Sequence, residues 1–154
     1  MTHSTMFQRL NVAHVLLVDD DPAFTEDATK ALAERGLDAE VAIDSAAAVV
    51  SLTAHLPDLV CVDLNLPRES GYEICELIRG DPALKDLPIV IISNRHLPED
   101  LAYAEEAGAN AFVILPVSPE AFARQVESVL DGRTPSARSR ATLRELRPTD
   151  RPPG

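Results

Sequence analysis

The feature that most constrains the fold of this chain is a regular alternation of short apolar runs with helical patterns. Five runs rich in Val, Ile and Leu occupy 14–18, 38–43, 58–63, 88–92 and 111–115. Helical patterns follow them at 22–35, 45–55, 70–79, 98–107 and 119–130. Such runs are typical of strands buried on both faces of a sheet. Because parallel strands need crossover helices, the alternation predicts a parallel sheet covered by helices on both faces.

The predicted fold is an α/β, flavodoxin-like, doubly wound five-stranded parallel sheet, (βα)5, with strand order 2-1-3-4-5. In this order the first and third strands are neighbours at the point where the winding reverses, and ligand sites form at the carboxyl ends of such strands. Asp19 and Asp20 directly follow the first strand, and Asp63 ends the third. The sequence therefore predicts a site of three carboxylates at one edge of the sheet.

The charge distribution argues against direct DNA binding by the folded part of the chain. The net charge of the 154 residues is −11, yet residues 131–154 carry six arginines and three acids. Residues 1–130 are therefore more acidic than the chain as a whole, whereas a protein that binds nucleic acid presents a basic surface. Residues 132–154 are rich in Pro and Arg, which predicts a disordered tail. This tail is expected to be solvated or folded back onto the acidic body. Contact between its arginines and an acidic partner or nucleic acid is the alternative. One domain is expected over 12–131, after an N-terminal extension at 1–11.

Cysteine usage and hydropathy indicate a soluble cytoplasmic protein. Cys61 and Cys75 lie in apolar or helical surroundings, which favours two buried free thiols over a disulfide. The sequence shows no signal peptide and no apolar run long enough to cross a membrane, so no membrane partner is expected.

Three carboxylates at one edge of a sheet indicate a cation. Two unit charges about 4 Å apart repel by roughly 4 kcal/mol at an effective dielectric constant of about 20. Mg²⁺, which prefers oxygen ligands, would relieve this repulsion. Asp21 has a simpler explanation, because it precedes Pro22 and suits the N-cap of the first helix. Ser93 ends the fourth strand, and its hydroxyl would be a suitable donor to a phosphoryl oxygen.

Five short motifs occur in a consistent order along the chain. Leu-Val-Asp-Asp-Asp stands at 17–21, Val-Asp-Leu-Asn-Leu-Pro at 62–67 with Gly71 beyond it, and Ile-Ile-Ser at 91–93. Gly-Ala-Asn-Ala-Phe stands at 108–112 and Leu-Pro-Val at 115–117. Together these segments, spread over residues 12–131, resemble the receiver domain of bacterial two-component response regulators.

The resemblance implies a phosphoacceptor and a metal site. Asp63 would accept a phosphoryl group from a histidine kinase or a histidine phosphotransfer protein. Asp20 would bind Mg²⁺ directly, Asp19 would bind it directly or through water, and Asp63 would share the ion. Asn65 would offer its backbone carbonyl oxygen to the metal.

The resemblance also implies a switch. Ser93 would bind the phosphoryl group and draw its loop inward, and Phe112 occupies the place of the aromatic residue that changes rotamer as the loop moves. An ordinary partly buried ring is the alternative for Phe112. Arg95, two residues after Ser93, could supply a cation to the site or point to solvent.

One position departs from the family pattern. Receiver domains carry a lysine immediately before the proline that follows the fifth strand, and Leu115 stands there in this chain. Leucine offers neither charge nor a hydrogen bond to an aspartyl phosphate. Two interpretations follow: a phosphorylated receiver with altered switching, or a pseudo-receiver adaptor that binds partners without a phosphate signal. The segment 63–65 is also faintly similar to the nucleophile motif of aspartate-based phosphatases, a remote third alternative.

The expected action is intermolecular signalling rather than enzymatic turnover. The residues after Leu130 are too few and too polar for an output domain, which suggests a stand-alone receiver. The resemblance implies that the kinase docks near Ala23 and Phe24. It also implies a downstream protein on the face formed by the fourth helix, fifth strand and fifth helix, which includes Leu101, Tyr103, Ala104, Phe112 and Phe122.

Overall fold

In the computed structural model, residues 12–66 and 68–132 are described, and they form one parallel sheet between two helical layers. The strands are β1 (Ala13–Val18), β2 (Leu37–Ala42), β3 (Leu59–Asp63), β4 (Ile89–Ser93) and β5 (Ala111–Ile114). The helices are α1 (Pro22–Glu34), α2 (Ser45–Ala54), α3 (Gly71–Gly80), α4 (Pro98–Glu106) and α5 (Pro119–Gly132). The strand order β2-β1-β3-β4-β5, parallel throughout, confirms the predicted fold.

Two apolar cores lie on opposite faces of the sheet. One packs α2, α3 and α4 against side chains such as Leu16, Val62 and Ile91. The other packs α1 and α5 against the opposite strand faces, with Leu32 and Phe122 at its centre. Because β3 and β4 are buried at every position, their sequences read as continuous apolar runs. Burial on both faces explains why the strands could be recognised from composition alone.

Helix starts are set by side-chain caps that the sequence predicts. Asp21 Oδ1 accepts hydrogen bonds from the backbone N–H groups of Ala23 (3.0 Å) and Phe24 (3.4 Å), which confirms its capping role. Asp44 caps α2 in the same way through the N–H of Ala47 at 2.8 Å. Neither Asp19 nor Asp20 takes part in these two caps.

The edge strand β2 differs from its sequence pattern. The alternation of apolar residues in 38–43 correctly indicates a strand, but Val41 is 38% exposed and Ile43, just beyond the strand, is 62% exposed. Leu37 and Ala42 are the buried positions instead. Because β2 has a neighbour on one side only, its outer residues lack a covering layer.

Cys61 and Cys75 are buried free thiols, as predicted, and burial raises the pKa of both. None of the helices in the described part of the chain is both long enough and apolar enough to cross a bilayer. The predicted N-terminal extension lies outside the described residues, as does the predicted tail apart from Gly132, which belongs to α5.

Candidate functional site

The sheet brings three carboxylates together at the carboxyl ends of β1 and β3. These strands are direct neighbours, with Val18 paired to Val62, so the residues that follow each strand emerge side by side. One carboxylate oxygen from each of Asp19, Asp20 and Asp63 lies within 4.8 Å of the others. The structure therefore assembles the acidic cluster at the edge where the sequence predicts it.

Backbone hydrogen bonds fix the orientation of two of these acids. Asp19 Oδ1 accepts a hydrogen bond from the N–H of Asp21 at 2.9 Å. Asp63 Oδ1 accepts one from the N–H of Asn65, also at 2.9 Å. Each bond holds one oxygen of a buried carboxylate in place and leaves the second oxygen available to another ligand.

Burial and neighbouring charges raise the pKa of two of these carboxylates. Burial is the main cause for Asp19, and the charges of Asp63, Asp20 and Asp21 add to it, so its pKa rises to about 7. Burial and the charge of Asp20 also raise the pKa of Asp63. A cluster that resists ionisation in this way favours a cation, because a bound cation stabilises the ionised form.

We expect the burial of these carboxylates, together with their mutual repulsion, to destabilise the metal-free protein as the pH rises. A carboxylate whose pKa is higher in the folded than in the unfolded chain binds more protons when folded, so stability falls between about pH 4 and pH 7. Asp19→Asn removes the group, and we expect it to raise the Tm at pH 8 in EDTA by about 3–6 °C and to flatten this slope. Differential scanning calorimetry from pH 4 to pH 8 measures both effects. An equal Tm for both proteins at pH 8 would contradict the prediction.

A hydrogen-bonded loop forms the second wall of the site. Asn65 Nδ2 donates to Ser93 Oγ at 3.3 Å and to Asn94 Oδ1 at 2.9 Å. The N–H of Arg95 also donates to Ser93 Oγ, at 2.9 Å. Ser93 is fully buried, and these bonds connect it to the loop that follows Asp63. Ser93 is conspicuous in the sequence as a polar strand end, but the Asn65–Asn94 contact is not predictable, because side-chain pairing between loops leaves no periodic signal.

A cavity of about 370 Å³ opens beside the cluster and has an apolar wall. Asp19, Asp63 and Asn65 line its polar side, and Leu115, Val117 and Phe24 are among the residues on its other side. No lysine or arginine from the described ranges is among the lining residues. Leu115 thus meets the acidic site, but it contributes no positive charge.

The Arg95 side chain is exposed to solvent, whereas the Phe112 ring is buried in the core. The Arg95 side chain is 58% exposed, and its Nε lies 3.8 Å from Asp100 Oδ2. Phe112 is 3% exposed and packs in the core that holds α3 and α4. The rotamer switch of Phe112 and a phosphoryl contact by Arg95 both stay predictions.

The residues predicted for the downstream face need correction. The prediction names four side chains that the structure buries, since each fills one of the two cores and at most 3% of any of them is exposed: Leu101, Ala104, Phe112 and Phe122. Only Tyr103 is partly exposed. These four side chains are buried because the apolar residues of α4, β5 and α5 face the two cores on either side of the sheet.

A buried polar contact behind the Ser93 loop is not predicted from the sequence. Asp100, 5% exposed, accepts hydrogen bonds from the Tyr72 hydroxyl at 2.7 Å and from the N–H of Leu97 at 3.1 Å. The Tyr103 hydroxyl donates to the backbone oxygen of Tyr72 at 2.9 Å. Burial and the bond to Asp100 raise the pKa of Tyr72. The only available signal is an acid in the first turn of α4, which ordinarily indicates a cap.

Comparison with known proteins identifies the family. The family model described as "Response regulator receiver domain" matches residues 15–127. The chain belongs to the response regulator receiver family. It is 33% identical over 126 residues to the DNA-binding response regulator MtrA of Mycolicibacterium smegmatis, with coverage of 82% of this chain and 52% of that protein. This receiver domain thus spans about half the length of the curated relatives it matches.

Solved structures agree with this assignment. The chemotaxis response regulator CheY4 of Vibrio cholerae is 25% identical, with a TM-score of 0.72 and coverage of 77% of this chain and 99% of that one. A CheY-like receiver domain protein from Methanospirillum hungatei JF-1 has a TM-score of 0.73 at 22% identity and supports the fold. It covers 80% of this chain and 97% of its own. The receiver fold is therefore established for this chain, in agreement with its family.

Proposed function

We propose that this receiver domain accepts a phosphoryl group on Asp63, with Mg²⁺ as cofactor, from a histidine kinase or histidine phosphotransfer protein. The observation that carries the proposal is the convergence of the Asp19, Asp20 and Asp63 carboxylates at the junction of β1 and β3. The domain then acts as a cytoplasmic signalling protein through protein–protein contacts, and not as an enzyme. Membership of the receiver family supports this assignment.

The donor set suits Mg²⁺. Three carboxylates supply hard oxygen ligands, and the Asn65 backbone carbonyl is proposed as a further ligand. When bound, the ion would neutralise charge on both the acceptor carboxylate and the incoming phosphoryl group. Bound Mg²⁺ would thus offset the mutual repulsion of the carboxylates, which destabilises the folded protein when the ion is absent.

The phosphoryl transfer would be completed by residues of the two loops. The N–H of Asn65 holds Asp63 Oδ1, so the other oxygen of Asp63 attacks phosphorus, the P–N bond of the phosphohistidine breaks and the imidazole leaves. Ser93 Oγ already accepts two hydrogen bonds, and its own proton therefore remains available for a phosphoryl oxygen. This donation would draw the Ser93 loop toward Asp63.

We expect acetyl phosphate with Mg²⁺ to add one phosphoryl group at Asp63. Intact-mass spectrometry measures the modification, and Asp63→Asn and EDTA should each abolish it. The control variant Asp58→Asn changes an acid before β3 whose carboxylate bonds the N–H of His14 outside the site, and it should be modified as in the wild type. A folded wild-type protein that stays unmodified at saturating donor would refute phosphoacceptance.

A phosphorylation-independent adaptor is the second candidate function. Leu115 favours it, because the cavity beside Asp63 has an apolar wall where the family pattern has a lysine. This candidate would be supported if Mg²⁺ stabilises the protein while acetyl phosphate leaves it unmodified. In either case a downstream partner is proposed on the face of α4, β5 and α5, where Tyr103 supplies exposed surface.

A further inference from the structure

An open groove of about 590 Å³ runs between the C-terminal halves of α3 and α4. Cys75, Tyr103 and Ala107 form its floor, and the carboxylates of Glu76 and Glu106 stand on its rim. Both glutamates are exposed, and neither forms an ion pair with any residue of the described ranges. The groove therefore offers an apolar floor between two unpaired negative charges.

Arg79 also lines this groove but is already occupied. Its guanidinium donates to the backbone oxygens of Ala107 (2.7 Å), Lys85 (2.8 Å), Leu87 (2.8 Å) and Gly108 (3.0 Å). This inward set of bonds fixes the base of the groove and leaves the two rim carboxylates available to a cationic ligand.

The chain itself contains a segment of matching chemistry. Residues 133–154 carry six arginines and two acids, a net charge of +4, whereas residues 12–132 carry 23 acids and seven lysines and arginines. Within the segment, Leu143 and Leu146 are three residues apart, and Arg140, Arg144 and Arg147 surround them. The segment thus combines two apolar anchors with a cluster of positive charge.

The segment begins close enough to reach the groove. Helices α3, α4 and α5 each follow a parallel strand and return antiparallel to it, so all three end at the same edge of the sheet. From Gly132, the eight residues to Arg140 can span about 26 Å. Passing from the α5 layer to the α3 layer requires about 20 Å, because the layers are spaced by roughly 10 Å.

We propose that the arginine-rich segment 133–154 docks in cis in the groove between α3 and α4. Leu143 and Leu146 cover the floor, the surrounding arginines pair with Glu76 and Glu106, and one guanidinium stacks on the Tyr103 ring. Exposed ion pairs are individually weak, so the docking is reversible and salt-sensitive. The covalent connection supplies the effective concentration that makes such weak contacts sufficient.

The acidic cleft between α1 and α5 is a poorer partner for the same segment. It is lined by Asp27, Glu34 and Glu120, but Lys30 lies among them, and Ala31 and Pro119 are its only apolar lining residues in the described part of the chain. Its charge is already partly compensated, and it has no floor for the two leucines. Removal of acidic charge from the α3–α4 groove is therefore expected to release the segment, whereas removal of acidic charge from the α1–α5 cleft is not.

Hydrogen–deuterium exchange on the full chain at low salt tests the proposal. The exchange of 75–80 and 103–108 is expected to be at least about threefold faster in Arg140→Gln/Arg144→Gln/Arg147→Gln than in the wild type. Glu76→Gln/Glu106→Gln should give the same acceleration, and 0.5 M NaCl should remove the difference. Asp27→Asn/Glu34→Gln, which removes two charges from the α1–α5 cleft, should behave as the wild type.

Tyrosine spectroscopy gives an independent measurement. The chain has no tryptophan, its two tyrosines stack at the α3–α4 contact with ring centroids 3.9 Å apart, and residues 133–154 contain no aromatic residue. A synthetic 133–154 peptide, added at a concentration on the order of millimolar to match the effective concentration of the tethered segment, should restore the wild-type near-ultraviolet circular dichroism of the triple arginine variant.

Three results would overturn the proposal. The first is exchange that neither the arginine variant nor the Glu76/Glu106 variant changes. The second is exchange that responds to the Asp27/Glu34 variant instead, which would place the segment on α1 and α5. The third is protection that increases with protein concentration, which would indicate docking between two copies.

Discussion

Replacing Arg79 by methionine is expected to lower the Tm by more than about 10 °C, the largest effect of any single substitution considered for this domain. The Arg79 guanidinium joins the carbonyl oxygens of three segments: the end of α4, the turn before β5 and the connection into β4. Methionine keeps most of the aliphatic contact but leaves four carbonyl oxygens without this donor. Hydrogen bonds to charged groups contribute about 1.5–3 kcal/mol each and are not additive, so we expect a total loss of about 3–5 kcal/mol.

Two further variants separate hydrogen bonding from charge at this position. Arg79→Lys retains the charge but lacks the planar donor set, and it should recover less than about half of the lost stability. Arg124→Met makes the same change at an exposed position of α5 and should alter the free energy of unfolding by less than about 0.5 kcal/mol. Urea denaturation monitored by far-ultraviolet circular dichroism measures all three. Equal stability of Arg79→Met and Arg124→Met would show that the guanidinium bonds are not stabilising.

Replacing Gly71 by alanine is expected to damage the site as well as the fold. A Cβ atom at this first residue of α3 would meet the backbone oxygen of Asp63 and lie 2.7 Å from Val62 Cγ1. Because the obstructing atom belongs to the backbone, the clash can be relieved only if the end of β3 shifts. Asp63, the proposed phosphoacceptor, lies at that end. We expect a loss of about 2–3 kcal/mol in stability and at least a tenfold weaker response to Mg²⁺ and acetyl phosphate.

Gly80 provides the matched control, because it ends the same helix and a Cβ atom added there would meet no neighbouring atom within 4 Å. Gly80→Ala should be neutral or stabilising by up to about 1 kcal/mol, since alanine favours the helix. Thermal shift with and without Mg²⁺ reports both effects for each variant. A Gly71→Ala protein that keeps the full Mg²⁺ response would show that β3 tolerates the displacement.

The fold and the acidic cluster are predictable from sequence for the same physical reason. Strands that are buried on both faces must be apolar along their whole length, so each polar residue at a strand end is conspicuous. Asp19 and Asp63 stand out in this way, and the strand order then places them together. Helix caps such as Asp21 are predictable because they depend on a few neighbouring residues.

Side-chain contacts between segments distant in the sequence are not predictable in this way. Arg79 occupies the last turn of α3, where an arginine ordinarily indicates a solvated helix end, yet its partners are 6 to 29 residues away. The Asn65–Asn94 and Tyr72–Asp100 contacts join residues 28 or 29 positions apart. Such contacts depend on the final relative positions of two segments of the fold, which no local pattern encodes. Leu101, Ala104 and Phe122 are buried because the apolar stripe of a helix faces the core and not the exposed surface.

The loop between β4 and α4 is tethered at both ends, and this has a thermodynamic consequence. Asn65 holds Ser93 and Asn94 at one end, and Asp100, itself bonded to Tyr72, holds Leu97 at the other. A ligand that shifts this loop at one end must therefore work against the bonds at the other. A protein that binds α4 and displaces the loop would therefore change the affinity of the site at Asp63 for its ligand. Because linked equilibria are reciprocal, that ligand would change the affinity of α4 for the protein by the same factor.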